Sequence, residues 1–311
     1  MREHVAPFVY FLEVHLLYAS ILCLAAWGLT SIRAGSATWK YWIWVVTSLN
    51  FIVPLGGFFD RFGAATVSWA HQLRGLDAIG VSLAHHPTAG AVLAGAWLCG
   101  TTLMLARLLG RIRADRRAAR ADAARAAEPQ RGLRAHGVPI RFSASAPAPF
   151  VAGILRPNIS LPHGIERLLS GAELDAVLLH EVVHARRRDN LIGLIHEAAL
   201  CGLWFHPLVW LTAFRLVLYR ELSCDERVIE KAHGANLVSA LAKLAVPQQP
   251  SLLQARAGSY LGVRLTRLVD GQSPEPCVAA NTLLAVLFAA LLFACVLGTI
   301  AHTAHCFVVR T

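Results

Sequence analysis

Apolar positions run unbroken in four places along the chain and recur with strand or helix spacing elsewhere. The first long stretch covers residues 7–30, close to the roughly 20 residues that cross a hydrocarbon core. It is too long for a signal peptide and lacks a small-residue cleavage pattern, so it is expected to remain as an anchor. Glu13 and His15 within it are expected near the headgroups, a buried functional pair being the alternative. The second stretch covers 41–59, with Trp42 and Trp44 suited to an interfacial belt. The third covers 89–109 and the fourth 278–300. Between the last two the spacing changes. Residues 141–161 have strand character, with 150–154 and 159–161 flanking the turn sequence Arg156-Pro157-Asn158. After Pro162 the period becomes helical, and Ser170-Gly171-Ala172-Glu173 fits a capping box at a helix start. Residues 191–205 and 207–219 are also apolar, but His196, Glu197, His206, Pro207 and Arg215 interrupt them. They are expected to form a protein core that dips into or lies on the membrane, with His196 and His206 as core histidines.

Composition strengthens the membrane reading. The 311-residue chain is 56% hydrophobic and 15% charged, whereas globular domains carry about 25% charged residues. The net charge of +10 does not point to nucleic acid, because the chain has no zinc-finger spacing and no interleaving of basic and aromatic residues. Eight arginines lie between Arg111 and Arg134, directly after the third stretch, as a cytoplasmic juxtamembrane segment would have them. Alternation then places the loop with Arg33 and Lys40 inside, residues 111–276 in the cytoplasm, and both termini outside. The expected division is a three-span region (1–110), a basic linker (111–134), a cytoplasmic domain (135–276), and a fourth span with a short tail (277–311). The seven cysteines are odd in number and scattered, and form no C-x-x-C, so neither a disulfide framework nor a cysteine metal site is expected.

The chemistry lies in His180-Glu181-Val182-Val183-His184. Histidines four apart on a helix project from one face and can share one zinc ion, with Glu181 beside them to take a proton from a metal-bound water. A catalytic site of this kind needs a third protein ligand and an open position. A metzincin would have Gly at 187 and His at 190; Arg187 and Asn190 stand there instead. The ligand is therefore sought on the helix expected from Pro207 to Lys231. At about 100° per residue, Glu221 and Asp225 fall in the stripe of Phe214, Val217, Leu218, Val228 and Ala232. Ser223, Glu226, Arg227 and Glu230 fall on the other side, read as a solvated face. A carboxylate on an apolar face must be paired or metal-bound. This makes Glu221 the expected third ligand and Asp225 an outer support for a ligand histidine, with a structural salt bridge to an arginine such as Arg186 or Arg188 as the alternative. The strand at Val151, Ala152 and Gly153 is a candidate substrate-binding edge; the alternative is a hairpin that covers the helix.

Three segments together resemble the BlaR/MecR-type membrane metallopeptidases: residues 180–190, the run Phe205-His206-Pro207-Leu208-Val209-Trp210, and the run Arg220-Glu221-Leu222-Ser223-Cys224-Asp225. Residues 150–162, with Gly153 and Pro157-Asn158-Ile159-Ser160-Leu161-Pro162, resemble the strand segment of that family, and the HtpX-type proteases are more distantly similar. The resemblance implies one Zn2+ per chain at His180, His184 and Glu221, Glu181 as general base, and Asp225 as support. It further implies regulatory proteolysis that inactivates a cytoplasmic DNA-binding repressor. The chain stops about a dozen residues after the fourth stretch, so a penicillin-binding sensor domain with its S-x-x-K serine is not expected. The expected architecture is a mostly α membrane protein of four transmembrane helices with an inserted cytoplasmic α+β zincin, gluzincin-like, protease domain. Two other functions stay open: membrane-protein quality control of the HtpX type, and a non-catalytic zinc-containing sensor or scaffold. An intact Glu181 argues against the last.

Overall fold

The computed structural model describes residues 2–32, 35–53, 87–125, 133–144, 146–244, 252–269, 281–283 and 285–293. In chain order its helices and strands are α1 (Arg2–Ser31), α2 (Ala37–Ile52), α3 (Pro87–Arg125), β1 (Arg134–Ala135), β2 (Val138–Ser143), β3 (Phe150–Ala152), β4 (Asn158–Pro162), α4 (Ile165–Leu168), α5 (Gly171–Arg187), α6 (Asp189–Gly202), α7 (Pro207–Glu230), α8 (Gly234–Leu244) and α9 (Leu252–Val269). The end of the second expected span, Arg33, the side chain of Glu13 and both ends of the fourth expected span lie outside the described residues.

Among the described residues one helix is long and apolar enough to cross a membrane, Thr88–Asp122 within α3, and none of its apolar window is buried. The apolar parts of α1 and of residues 281–293 are shorter. The basic run begins as helix rather than as a linker: α3 continues to Arg125, because alanine and arginine are strong helix formers.

The first two helices do not stand apart from the rest. Leu22 and Ala26 of α1, Tyr41 and Trp44 of α2, and Val209 and Leu216 of α7 share one buried core. Trp44 is fully buried, its indole N–H donating to Thr30 Oγ1 at 3.2 Å, whereas Trp42 is exposed; of the expected belt pair only Trp42 faces outward. Lys40 is also buried and donates to the Ile32 carbonyl at the end of α1, where the helix dipole favours a cation. Of the two expected core histidines, His196 is buried and lies 2.6 Å from Ser48 Oγ, whereas His206 is half-buried and lies 3.2 Å from Ser20 Oγ.

A second core joins Ile159 and Leu161 of the sheet to Ala176 and Val182 of α5, Val228 of α7 and Leu237 of α8. The sheet order is β1-β2-β4-β3, with β2 parallel to β4 and β3 antiparallel to it through Phe150↔Ser160 and Ala152↔Asn158. The expected hairpin is present, and β3 is an edge strand. Gly153 ends it at φ 86°, where a Cβ would stand 2.7 Å from the Arg156 carbonyl oxygen, so only glycine fits the turn.

Helix α5 opens with the expected capping box. Ser170 Oγ accepts from the Glu173 N–H, and Glu173 accepts from the Ser170 N–H at 2.7 Å. It ends at Arg188, held left-handed at φ 57°, a conformation that costs a non-glycine residue about 1–2 kcal/mol. On an unbroken helix, residue 189 would lie about 140° around from His184. The break turns the chain so that Asp189 begins α6 facing back toward that histidine.

Candidate metal centre

Helices α5 and α7 cross where His180, His184 and Glu221 meet. His180 Nε2 and His184 Nε2 are 3.1 Å apart, and Glu221 Oε2 lies 3.5 Å from the first and 3.8 Å from the second. Donors at 2.0–2.1 Å from a tetrahedral zinc are separated by about 3.4 Å, so the three atoms fit one ion with little movement. The donor set of two imidazoles and a carboxylate also suits a catalytic zinc.

Each histidine is backed on its other nitrogen. Asp225 Oδ1 is 3.1 Å from His180 Nδ1, where the sequence placed a supporting carboxylate. Asp189 Oδ2 is 2.6 Å from His184 Nδ1, a support the sequence reading missed. Each aspartate is in turn held by an arginine fork: Arg264 of α9 donates to both oxygens of Asp225 at 2.8 Å, and Arg187 to both oxygens of Asp189 at 2.7 Å. A carboxylate on Nδ1 selects the tautomer that leaves Nε2 free to bind a metal.

The charges are strongly coupled. Burial alone would push the His180 imidazole down, but Asp225 and Glu221 outweigh it and raise it to about 9. Burial would push the Glu221 carboxyl up, yet His184, Arg220 and His180 hold it well below the usual carboxylate range. Asp189 is likewise brought down to about 2, burial being overcome by His184 and Arg187. The salt bridge to an arginine, weighed as the alternative, is present beside the histidine contacts, both for Asp225 and for Glu221. Arg220 binds its Oε1 at 2.9 Å, and Arg264 Nη1 lies 3.4 Å from its Oε2; Arg186 instead donates to the His136 carbonyl.

Helical periodicity misjudged one side of α7. Arg227 and Glu230 are exposed and pair with each other at 2.6 Å, as expected of a solvated face. Ser223 and Glu226, assigned to that same face, are buried, Ser223 accepting from Arg187 and Glu226 lying against α2. Glu226 accepts from the N–H groups of Ala37 and Thr38 at 2.9 and 3.0 Å and so caps the first turn of α2. Phe214 and Ala232, assigned to the apolar stripe, are exposed.

Glu181 sits half-buried on α5 next to His180 and makes no hydrogen bond or ion pair with any described residue. Cys224, fully buried, adds a thiol: His180, His184 and Cys224 offer ligand atoms within 4.8 Å of one another. Its sulfur, however, lies 3.5 Å from His184 Nδ1, the nitrogen already taken by Asp189, and not on the Nε2 side that Glu221 faces. Cys224 stands three residues after Glu221, a helical spacing that could have flagged it in the sequence.

The candidate substrate edge is close by but not open. Asn190, the second residue of α6, donates its amide to the carbonyls of Val151 and Gly153 at 2.9 and 3.0 Å.

Comparison with known proteins identifies the family. The family model described as BlaR1 peptidase M56 matches residues 10–259. The regulatory protein BlaR1 of Bacillus licheniformis is 32% identical over 162 residues, covering 49% of this chain and 26% of that protein. The methicillin resistance mecR1 proteins of Staphylococcus aureus and Staphylococcus epidermidis are 23% identical over 93 residues, covering 30% of this chain and 16% of theirs. The chain thus spans about a quarter or less of the length of these relatives. With the match extending over most of its residues, the chain belongs to the BlaR1-type M56 peptidase family.

Proposed function

We propose that the chain is an integral-membrane zinc metalloendopeptidase that hydrolyses peptide bonds of protein substrates in regulatory proteolysis. The observation that carries this is the convergence of His180 Nε2, His184 Nε2 and Glu221 Oε2 within 3.1–3.8 Å, with Glu181 beside them and unpaired among the described residues. These three residues would hold the ion, which would supply a Lewis acid and lower the pKa of a bound water to about 7. Glu181 takes the water proton and returns it to the leaving amine. Asp225 and Asp189 keep both rings in the binding tautomer. The substrate lies as an added strand along Val151, Ala152 and Gly153, exchanging its own N–H groups for the Asn190 amide.

The proposed frame is four membrane spans carrying a cytoplasmic gluzincin-like domain over residues 135–276. A regulatory role is supported by the names of the matched relatives, and a cytoplasmic DNA-binding repressor is the substrate that the family resemblance favours.

Metal content and peptidase activity, measured on the same purified variants, test the roles. Glu181→Gln is expected to keep one zinc and lose about 10²–10⁴-fold in turnover, because only proton transfer is removed. Glu221→Ala is expected to lose both metal and activity, and Cys224→Ala to keep the metal. Zinc lost from Cys224→Ala but kept by Glu221→Ala would make the thiol the third ligand and overturn the assignment.

A further inference from the structure

The support of His184 does not end within the protease-like region. Tyr41 of α2, fully buried, donates its hydroxyl to Asp189 Oδ1 at 2.9 Å, while the other oxygen of the same carboxylate reaches His184 Nδ1 at 2.6 Å. The Arg187 guanidinium stacks over the Tyr41 ring at 3.9 Å from its centroid and donates to both Asp189 oxygens. Arg187 is fixed from α7 as well, donating to Ser223 Oγ at 2.6 Å and to the Arg220 carbonyl at 3.2 Å. Asp189 therefore sits between three donors, and one of them comes from a helix 148 residues away in sequence. The aspartate behind His180 is held instead by Arg264 from α9.

We propose that Tyr41 is a positioning residue for the metal centre, acting through Asp189 on the ring of His184. The inference rests on the reading of His180, His184 and Glu221 as metal ligands. Two contacts place the carboxylate plane, the Arg187 fork and the Tyr41 hydroxyl, and the hydroxyl contact depends on where α2 lies. Helix α2 is itself anchored at its first turn by Glu226 and along its length by the Ser48–His196 contact. The Tyr41 hydroxyl thereby ties the geometry of one ligand imidazole to α2, which the Glu226 cap still holds in place when the Ser48–His196 contact is removed.

The test compares full-length chain, purified in detergent, as wild type, Tyr41→Phe, Asp189→Asn and Ser48→Ala. Zinc affinity is read by competition with a chelator, and ligand geometry by the visible d–d bands of the Co2+-substituted protein. Tyr41→Phe keeps the ring and its stack on Arg187 and removes only the hydroxyl. It is expected to weaken zinc binding about tenfold and to shift the cobalt bands, with Asp189→Asn doing the same more strongly. Ser48→Ala removes another buried contact of α2, away from Asp189, and is expected to leave both readouts at the wild-type values. Unchanged affinity and bands in Tyr41→Phe, with Asp189→Asn impaired, would show the hydroxyl to be idle and overturn the proposal. An equal loss in Ser48→Ala would do so too, by showing a general effect of loosening α2. A wild-type chain that binds no metal would instead overturn the reading on which the proposal rests.

Discussion

At the scale of single residues, the site is made of side chains whose charge is set by their neighbours. Glu173 illustrates this away from the metal centre, at the start of α5. It is buried, and it accepts from Lys243 Nζ at 2.7 Å, from Ser239 Oγ and from the Ser170 N–H. The Lys243 ammonium above all, with Ser239 and Ser170, brings its carboxyl from the ordinary 4.5 down to about 2. The folded chain thus binds that proton more weakly than the unfolded chain, so the stabilisation is fully present above pH 4.5 and is lost as the pH falls toward 2. In thermal melts across that window, the midpoint of the wild type is expected to fall more steeply than that of Glu173→Gln, which carries no such proton. Parallel slopes would show that the contacts of Glu173 do not survive in solution.

At the scale of elements, the capping box at Ser170 and the run of apolar residues after it identified α5 and its two histidines from local sequence, because both signals act within one or two turns. Helix α7 was found too, from Pro207 to one residue past the observed end at Glu230. Its buried faces were not, since a 3.6-residue period presumes one buried side and α7 is covered by α5 on one side and by α2 on another. Glu226 follows from this: a carboxylate that looked solvated instead caps a helix 189 residues away. Glu226→Ala is expected to cost about 1–3 kcal/mol, because the N–H groups of Ala37 and Thr38 lose a charged acceptor. A denaturant titration would measure this, with zinc stoichiometry retained. A variant as stable as the wild type would mean that water replaces the cap.

At the scale of the whole molecule, the arginine run after α3 sets the proposed orientation, since basic residues next to a span are retained on the cytoplasmic side. Reporter fusions after Arg131 and at Thr311 are expected to lie on opposite sides of the membrane, cytoplasmic and external respectively. Reporters on the same side would show that residues 278–300 do not cross. The same scale explains why α1 and α2 read as independent anchors in the sequence while sharing a core with α7: hydropathy registers that a helix is apolar, not whether lipid or another helix covers it.

What the chain determined by itself is what acts over short separations. His180, Glu181 and His184 lie within five residues of one helix, and the carboxylates Glu221 and Asp225 lie one turn apart on another, so spacing alone put them on common faces. Tertiary structure decided what depends on two elements meeting. It brought Glu221 to within 3.5 Å of His180, chose Arg264 as the partner of Asp225, and took up the β3 carbonyls with Asn190. It also used the left-handed turn at Arg188 to aim Asp189 at His184 and delivered Tyr41 to the same carboxylate. No local period encodes such contacts, because each is fixed by the packing of helices far apart in the chain.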